Sequence, residues 1–259
     1  MTTSTAISIL GLGPGRWEDL TIQARAILEQ AAADKNPVFF RTLIHPIIEP
    51  LKQAIPDLRI TSFDSFYDEA TNWDTLYLRI AQEIFTQAEQ HHPLIYAVPG
   101  HPLIGEASVK LILQKARERN LRTRIVAGLS FLEPVCAALE LDPFASGLQI
   151  IDATDLASLT PDEIAGKIIP TVPVVIAHIY HRRLASSVKL ALGECYPDEW
   201  PVKLVSSIDL TASEAVQEMP LYELDHNNPA NEFNTLYVPP LSALDALRVP
   251  ETLRYITMR

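Results

Sequence analysis

A chain of 259 residues with 47% apolar and 20% charged side chains can bury one large core or two medium ones without staples, which argues against disorder. Its formal charge of −11, from 32 acidic against 21 basic side chains, is the wrong sign for a surface that tracks phosphates, so nucleic acid is not expected as a partner. No apolar run approaches the roughly eighteen residues of a membrane span, and the start of the chain lacks the basic cluster of a secretory signal. A cytoplasmic address with no membrane partner is expected. Cys136 and Cys195 form neither a disulfide framework nor a metal-ligand spacing, and no metal site is expected.

The first half alternates short β-branched runs with segments of helical period, the sequence form of a parallel sheet covered by helices. Strands are predicted at Ala6 to Leu10, Val38 to Phe40, Arg59 to Phe63, Leu94 to Val98 and Arg122 to Val126. Between them, Leu20, Ala24, Ile27, Leu28 and Ala31 fall on one helical stripe, a short helix runs around Pro46 to Ala54, and Tyr77, Ile80, Ala81, Ile84, Phe85 and Ala88 form the clearest stripe. Val109, Ile112, Leu113 and Ala116 keep the same period. The second half has more prolines and fewer stripes. Ser130 and Glu133, then Thr160 and Glu163, have capping-box spacing; Val172 to Tyr180, Val202 to Ser206, Leu221 to Leu224 and Thr235 to Val238 read as strands, and Arg182 to Leu192 as a helix. This organisation predicts two α/β domains, residues 1–128 and 129–240, with a tail or linker at 241–259.

Three strand–turn–helix junctions stand out. Gly11-Leu12-Gly13-Pro14-Gly15 follows the first strand, where small residues let a ligand approach the backbone. A dinucleotide fingerprint needs its third glycine at position 16, where this chain has Arg16, and an acid about twenty residues on, where the second strand instead ends at Arg41. A nicotinamide oxidoreductase is disfavoured on both counts. Pro14 removes a donor N–H, which suits a neutral or cationic group better than a pyrophosphate. Pro99-Gly100-His101-Pro102 and Ala127-Gly128-Leu129-Ser130 have the same layout, and in an open parallel sheet ligands lie outside such strand ends. Gly128-Leu129-Ser130 lacks the second glycine of a hydrolase elbow, finding Leu132, and Ser130 reads as a helix cap that can still touch a ligand.

These three turns together resemble the tetrapyrrole (corrin/porphyrin) methylase family of S-adenosylmethionine-dependent methyltransferases, and most closely its YabN/MazG-type branch. Supporting stretches are Arg41-Thr42 with His45-Pro46, Ser62-Phe63-Asp64 with Tyr67, the run Pro220 to Asp225, and Leu236 to Pro240. The resemblance implies two α/β domains with a ligand cleft between them, a homodimer, and S-adenosylmethionine as cofactor. It places donor contacts at Gly13, Pro14, Pro99, Gly100, His101, Ile104, Ser130 and Phe131, with His178 and Val202 contributed by the second domain. Many family members carry aspartate where this chain has His101.

Methyl transfer is an in-line displacement, so much of the catalysis comes from holding two molecules together; a base is needed only where the acceptor loses a proton. His101 and His45 are candidates for that base, and Glu106 a third, against the plainer role of a carboxylate in the first turn of a helix. A tetrapyrrole carries several carboxylates, so Arg41 and Arg182, with Tyr67, are candidate acceptor-binding residues. Members of the resembled branch often continue into a MazG-type nucleotide pyrophosphohydrolase domain. The chain ends at Arg259 without that domain's glutamate-bearing helices, so nucleotide hydrolysis is not expected of it. The competing reading from another class is a donor-binding regulatory module that has kept the loops and lost turnover.

Overall fold

Ile7, Ile9 and Leu10, with the small Ser8 and Gly11, make β1 (Ile7–Gly11) a strand buried at every position, and the alternation of its side chains decides which helices it can carry. Ile7 and Ile9 join a core with Ile80 and Ile84 of α4 (Trp73–Ala88) and Val109 and Ile112 of α5 (Ala107–Glu118). Leu10 points the other way, into a core with Ala24 and Leu28 of α1 (Ile22–Ala33) and Ile48 and Leu51 of α2 (Ile48–Ala54). The computed structural model describes residues 6–70, 72–206, 216–226 and 234–242. The chain divides into two units on either side of the Glu133–Pro134 bond.

In the first unit β2 (Val38–Phe40), β3 (Ile60–Ser62), β4 (Leu94–Val98) and β5 (Thr123–Val126) complete an all-parallel sheet of order β3-β2-β4-β1-β5. All five strands lie where the sequence predicts them, to within a residue at each end. Side-chain caps set two of the helix starts. Thr21 accepts from the Ala24 N–H at 3.1 Å to open α1, and Asn72 accepts from the Thr75 N–H at 2.9 Å to open α4. The short α3 (Asp64–Glu69) has no fully buried residue and so no apolar stripe that periodicity could reveal.

The second unit begins within α6 (Leu132–Leu139) and continues through α7 (Pro143–Ser146), β6 (Gln149–Asp152), α8 (Ala153–Ala157), α9 (Pro161–Lys167), β7 (Val174–Ala177), α10 (Arg182–Gly193), β8 (Pro201–Val205), β9 (Val216–Pro220) and β10 (Thr235–Val238). Its sheet has the order β6-β7-β10-β8-β9; β6 and β7 are parallel and the other pairings antiparallel. The Thr160–Glu163 capping box opens α9 as expected. Two expectations shift. The segment Leu221 to Leu224 is not a strand: Val216–Pro220 is, and Leu221–Glu223 is a 3-10 turn whose Leu221, with the adjoining Leu224, is buried in the core. The expected strand at 172–180 is shorter because His178 enters the left-handed region, at φ +66°, directly after Ala177. Of the tail or linker expected at 241–259, residues 243–259 lie outside the described residues.

Ile9 has no exposed surface and sits in the strand paired on both sides. Ile9→Ala is expected to lower unfolding free energy by about 2–5 kcal/mol, read as a lower urea midpoint with unchanged slope.

Candidate functional site

Three loops at the carboxyl ends of β1, β4 and β5 meet at backbone distance. A methyl group placed on Gly11 would lie 2.5 Å from the Gly100 oxygen and 2.6 Å from the Gly128 nitrogen. One placed on Gly128 would lie 2.4 Å from the Gly100 oxygen and 2.8 Å from the Gly11 carbonyl carbon. No other residue type fits at either position without moving backbone. Hydrogen bonds tie this seam together: the Gly100 N–H donates to Gly13 O at 2.8 Å, the Gly13 N–H returns to Gly100 O at 3.2 Å, and the Leu12 N–H reaches Val98 O at 2.9 Å. The Thr21 hydroxyl donates to Ala127 O at 3.3 Å, linking the helix after the first loop to the third. Thus Gly13, Pro14, Pro99, Gly100, His101, Ile104, Ser130 and Phe131 all belong to one end of the first unit's sheet.

Their chemistry differs from residue to residue. His101 Nδ1 accepts from the Leu103 N–H at 3.1 Å, so the neutral ring carries its proton on Nε2 and offers a donor there, not a lone pair. Buried Ser130 donates its hydroxyl to Glu133 at 2.7 Å and accepts from the Leu132 N–H at 3.0 Å, which uses the side chain in starting α6. Arg16, the cation nearest Pro14 in sequence, is held bidentately by Asp19 at 2.9 and 2.8 Å. A cationic ligand at the first loop would therefore meet a balanced charge, which fits a sulfonium and does not fit a pyrophosphate cradle.

On the other flank of the β4 loop, Arg41 follows β2 and is tied by its N–H to Ala97 O at 2.9 Å. Its Nε lies 2.8 Å from Glu106 Oε1, an ion pair whose N–H is not aimed at the oxygen, and its Nη1 donates to the Tyr67 hydroxyl at 2.8 Å. The two charged side chains are only 20% and 7% exposed. Burial opposes the charge on Arg41, but Glu106 and the surrounding phenols outweigh it and hold the guanidinium more firmly protonated. The Ser108 hydroxyl donates to Glu106 at 3.2 Å and meets the Tyr96 hydroxyl at 2.9 Å. His45 Nδ1 is buried without a hydrogen-bond partner among the described residues, and burial together with the Arg41 charge pushes the imidazole down to about 4. Glu106 is therefore the partner of Arg41 as well as the residue that precedes α5. Nothing in the spacing of two residues on different loops announces that pair; only the parallel order, which sets the β2 and β4 ends side by side, would have suggested it.

Three candidates lie in the second unit. His178 follows β7 in its left-handed conformation, with Nδ1 2.7 Å from Asp152 Oδ2. Burial raises the Asp152 pKa, but the bonds from His178 and from the Thr154 and Asp155 N–H groups prevail and lower it. The Val202 side chain is in the core, so only its backbone can meet a ligand. Arg182 is exposed at the start of α10. The Asp152–His178 pair escaped sequence reading because β6 itself did.

The family model for tetrapyrrole (corrin/porphyrin) methylases matches residues 6–225. The chain belongs to the tetrapyrrole methylase family. Methylation is the reaction class that this family's description gives. The Bacillus subtilis (strain 168) protein YabN is 32% identical over 235 residues, which are 91% of this chain and 45% of YabN. The chain thus spans under half the length of that relative. Among solved structures, diphthine synthase superposes with a TM-score of 0.66 at 13% identity, covering 96% of this chain and 99% of its own. Uroporphyrin-III C-methyltransferase from Thermus thermophilus, complexed with S-adenyl homocysteine, does so with a TM-score of 0.63 at 16% identity, covering 94% and 99%. At such identities these two structures speak for the methylase fold.

Two outcomes are expected from the site as built. Gly128→Ala forces the seam apart and should destabilise the first unit by about 1–3 kcal/mol, whereas Gly166→Ala, in open space on α9, should stabilise by about 0.5–1 kcal/mol; thermal unfolding of both variants checks this. For His45 the folded value near 4 lies below the ordinary 6.5, so between those pH values the unfolded chain binds more protons and stability falls as pH falls. His45→Gln should remove that component, on the order of 3 kcal/mol, from a pH series of urea midpoints.

Proposed function

We propose that this chain is an S-adenosylmethionine-dependent methyltransferase whose donor is held on the Gly11–Gly100–Gly128 seam and whose acceptor is a small molecule, tetrapyrrole-like or otherwise. The observation that carries the reading is the seam itself: three loops far apart in sequence, locked at backbone distance at the strand ends where an open parallel sheet takes its ligands. When bound, the donor supplies an electrophilic methyl carbon, so that the acceptor's lone pair forms the new bond as the carbon–sulfur bond breaks and neutral S-adenosylhomocysteine leaves. Pro14, Pro99 and Ile104 give the donor seat half-buried apolar walls, and the His101 Nε2–H gives it one directed donor. Arg16, neutralised by Asp19, leaves a sulfonium unopposed there. Orientation is the main catalytic contribution of these residues, because a rigid seam fixes where the methyl points.

One observation favours a second reading, a donor-binding module without turnover. His101 spends its Nδ1 lone pair on the Leu103 N–H, and His45 is too weakly basic near neutrality to be an efficient proton acceptor, so neither histidine is poised as a base. Isothermal titration of S-adenosylhomocysteine into the full chain should show one site per chain, weakened about tenfold or more by Gly128→Ala. Absence of binding overturns both readings. Release of S-adenosylhomocysteine from S-adenosylmethionine across an acceptor panel selects the first; binding without release on every acceptor selects the second.

A further inference from the structure

The acceptor's charge class can be read from the Arg41 flank of the β4 loop, and the inference rests on the methyltransferase reading above. Arg41 has the position expected of an anion anchor, yet its charge is already used: Glu106 lies 2.8 Å from Nε, and Asp64, which caps the Leu43 N–H at 2.9 Å, brings a second carboxylate beside Tyr67. His45 adds no positive charge, because burial and Arg41 keep it neutral. A carboxylate entering here would have to displace Glu106 from a pair that is mostly buried, at the cost of leaving one of the two acids unpaired.

What the flank does offer is uncharged. The Tyr67 hydroxyl accepts from Arg41 and keeps its own proton to donate, and burial raises its pKa so that the proton stays. Beyond it stands an aromatic wall: Tyr67 meets Trp73 edge to face at 6.2 Å between ring centroids, and Trp73 stacks on Tyr77 at 6.1 Å and 19° between planes. Trp73 is 59% exposed, a large apolar ring surface next to a polar network with little net charge to give. Exposed indole beside a hydroxyl donor recognises a flat ring that carries a hydrogen-bonding oxygen or nitrogen.

We propose that the acceptor of this enzyme is an uncharged planar ring compound, of the hydroxylated aromatic or heteroaromatic class, that stacks on Trp73 and hydrogen-bonds to the Tyr67 hydroxyl, and that Glu106 enforces this choice by neutralising Arg41. Polycarboxylate rings are thereby selected against. The mechanism of selection is the buried carboxylate partner, not the absence of a cation.

Titration calorimetry at about pH 6, with the full chain saturated by S-adenosylhomocysteine, compares 7-hydroxycoumarin, its 3-carboxylate and uroporphyrin III. The neutral coumarin should bind about tenfold tighter than its carboxylate, and uroporphyrin should bind more weakly than the neutral ring. Trp73→Leu, at an exposed position, should weaken the neutral ring about fivefold and leave S-adenosylhomocysteine binding unchanged. Glu106→Gln should reverse the preference in favour of the carboxylate. Equal or tighter binding of either carboxylated probe to the unaltered chain overturns the proposal, and that comparison stands even if Glu106→Gln does not fold. Failure of S-adenosylhomocysteine to bind is a separate result, and it overturns the methyltransferase reading beneath.

Discussion

The backbone approach of Gly11 to Gly128 and to the Gly100 carbonyl is the constraint on which the carboxyl end of the first unit's sheet depends. Three strand ends can hold one ligand only if their loops cross within van der Waals reach, and that crossing is possible because Gly11 and Gly128 carry no side chain and Gly100 turns its backbone at φ +63°. The apolar strands and the helices on both faces of the sheet serve this geometry. By burying β1 on both faces, they make the position of Gly11 a consequence of the core. The reciprocal hydrogen bonds between Gly13 and Gly100 then satisfy loop groups that would otherwise be left for a ligand to organise.

Electrostatics at this end are local and differ from what the total charge suggests. A chain of net charge −11 places Arg16 and Arg41 on either side of the β4 loop and then balances each against its own acid, Asp19 and Glu106. Exposed pairs of this kind contribute little to stability, but Arg41 and Glu106 are mostly buried, and on the proposed reading their value lies in fixing which charges a ligand can bring. The low basicity of His45 follows from the same arrangement, since a second cation beside Arg41 would be expensive to bury.

Most of the first unit was legible in the sequence because its signals are local. Period-two and period-3.6 patterns gave the five strands and the principal helices, and glycine and proline marked the three turns. The pairings that give the site its character are non-local. Arg41 could be read as a cation at a strand end, but its neutralisation by Glu106 depends on strand order, and the Asp152–His178 contact depends on a strand that the sequence did not announce. In the second unit short helices and antiparallel strands leave weak stripes, so Leu221 and Leu224, apolar and regularly spaced, looked like a strand when they are buried residues of a turn.

The segment after β4 is shared property. On the proposed reading Gly100 belongs to the donor-side seam and Glu106, six positions on, to the acceptor-side pair, with His101 and Ile104 between them. A backbone shift in that segment would therefore reach both seats. Divergence in acceptor choice among such proteins is therefore expected to be carried by Arg41 and Tyr67, on the β2 and β3 sides, where variation leaves the methyl donor's grip intact.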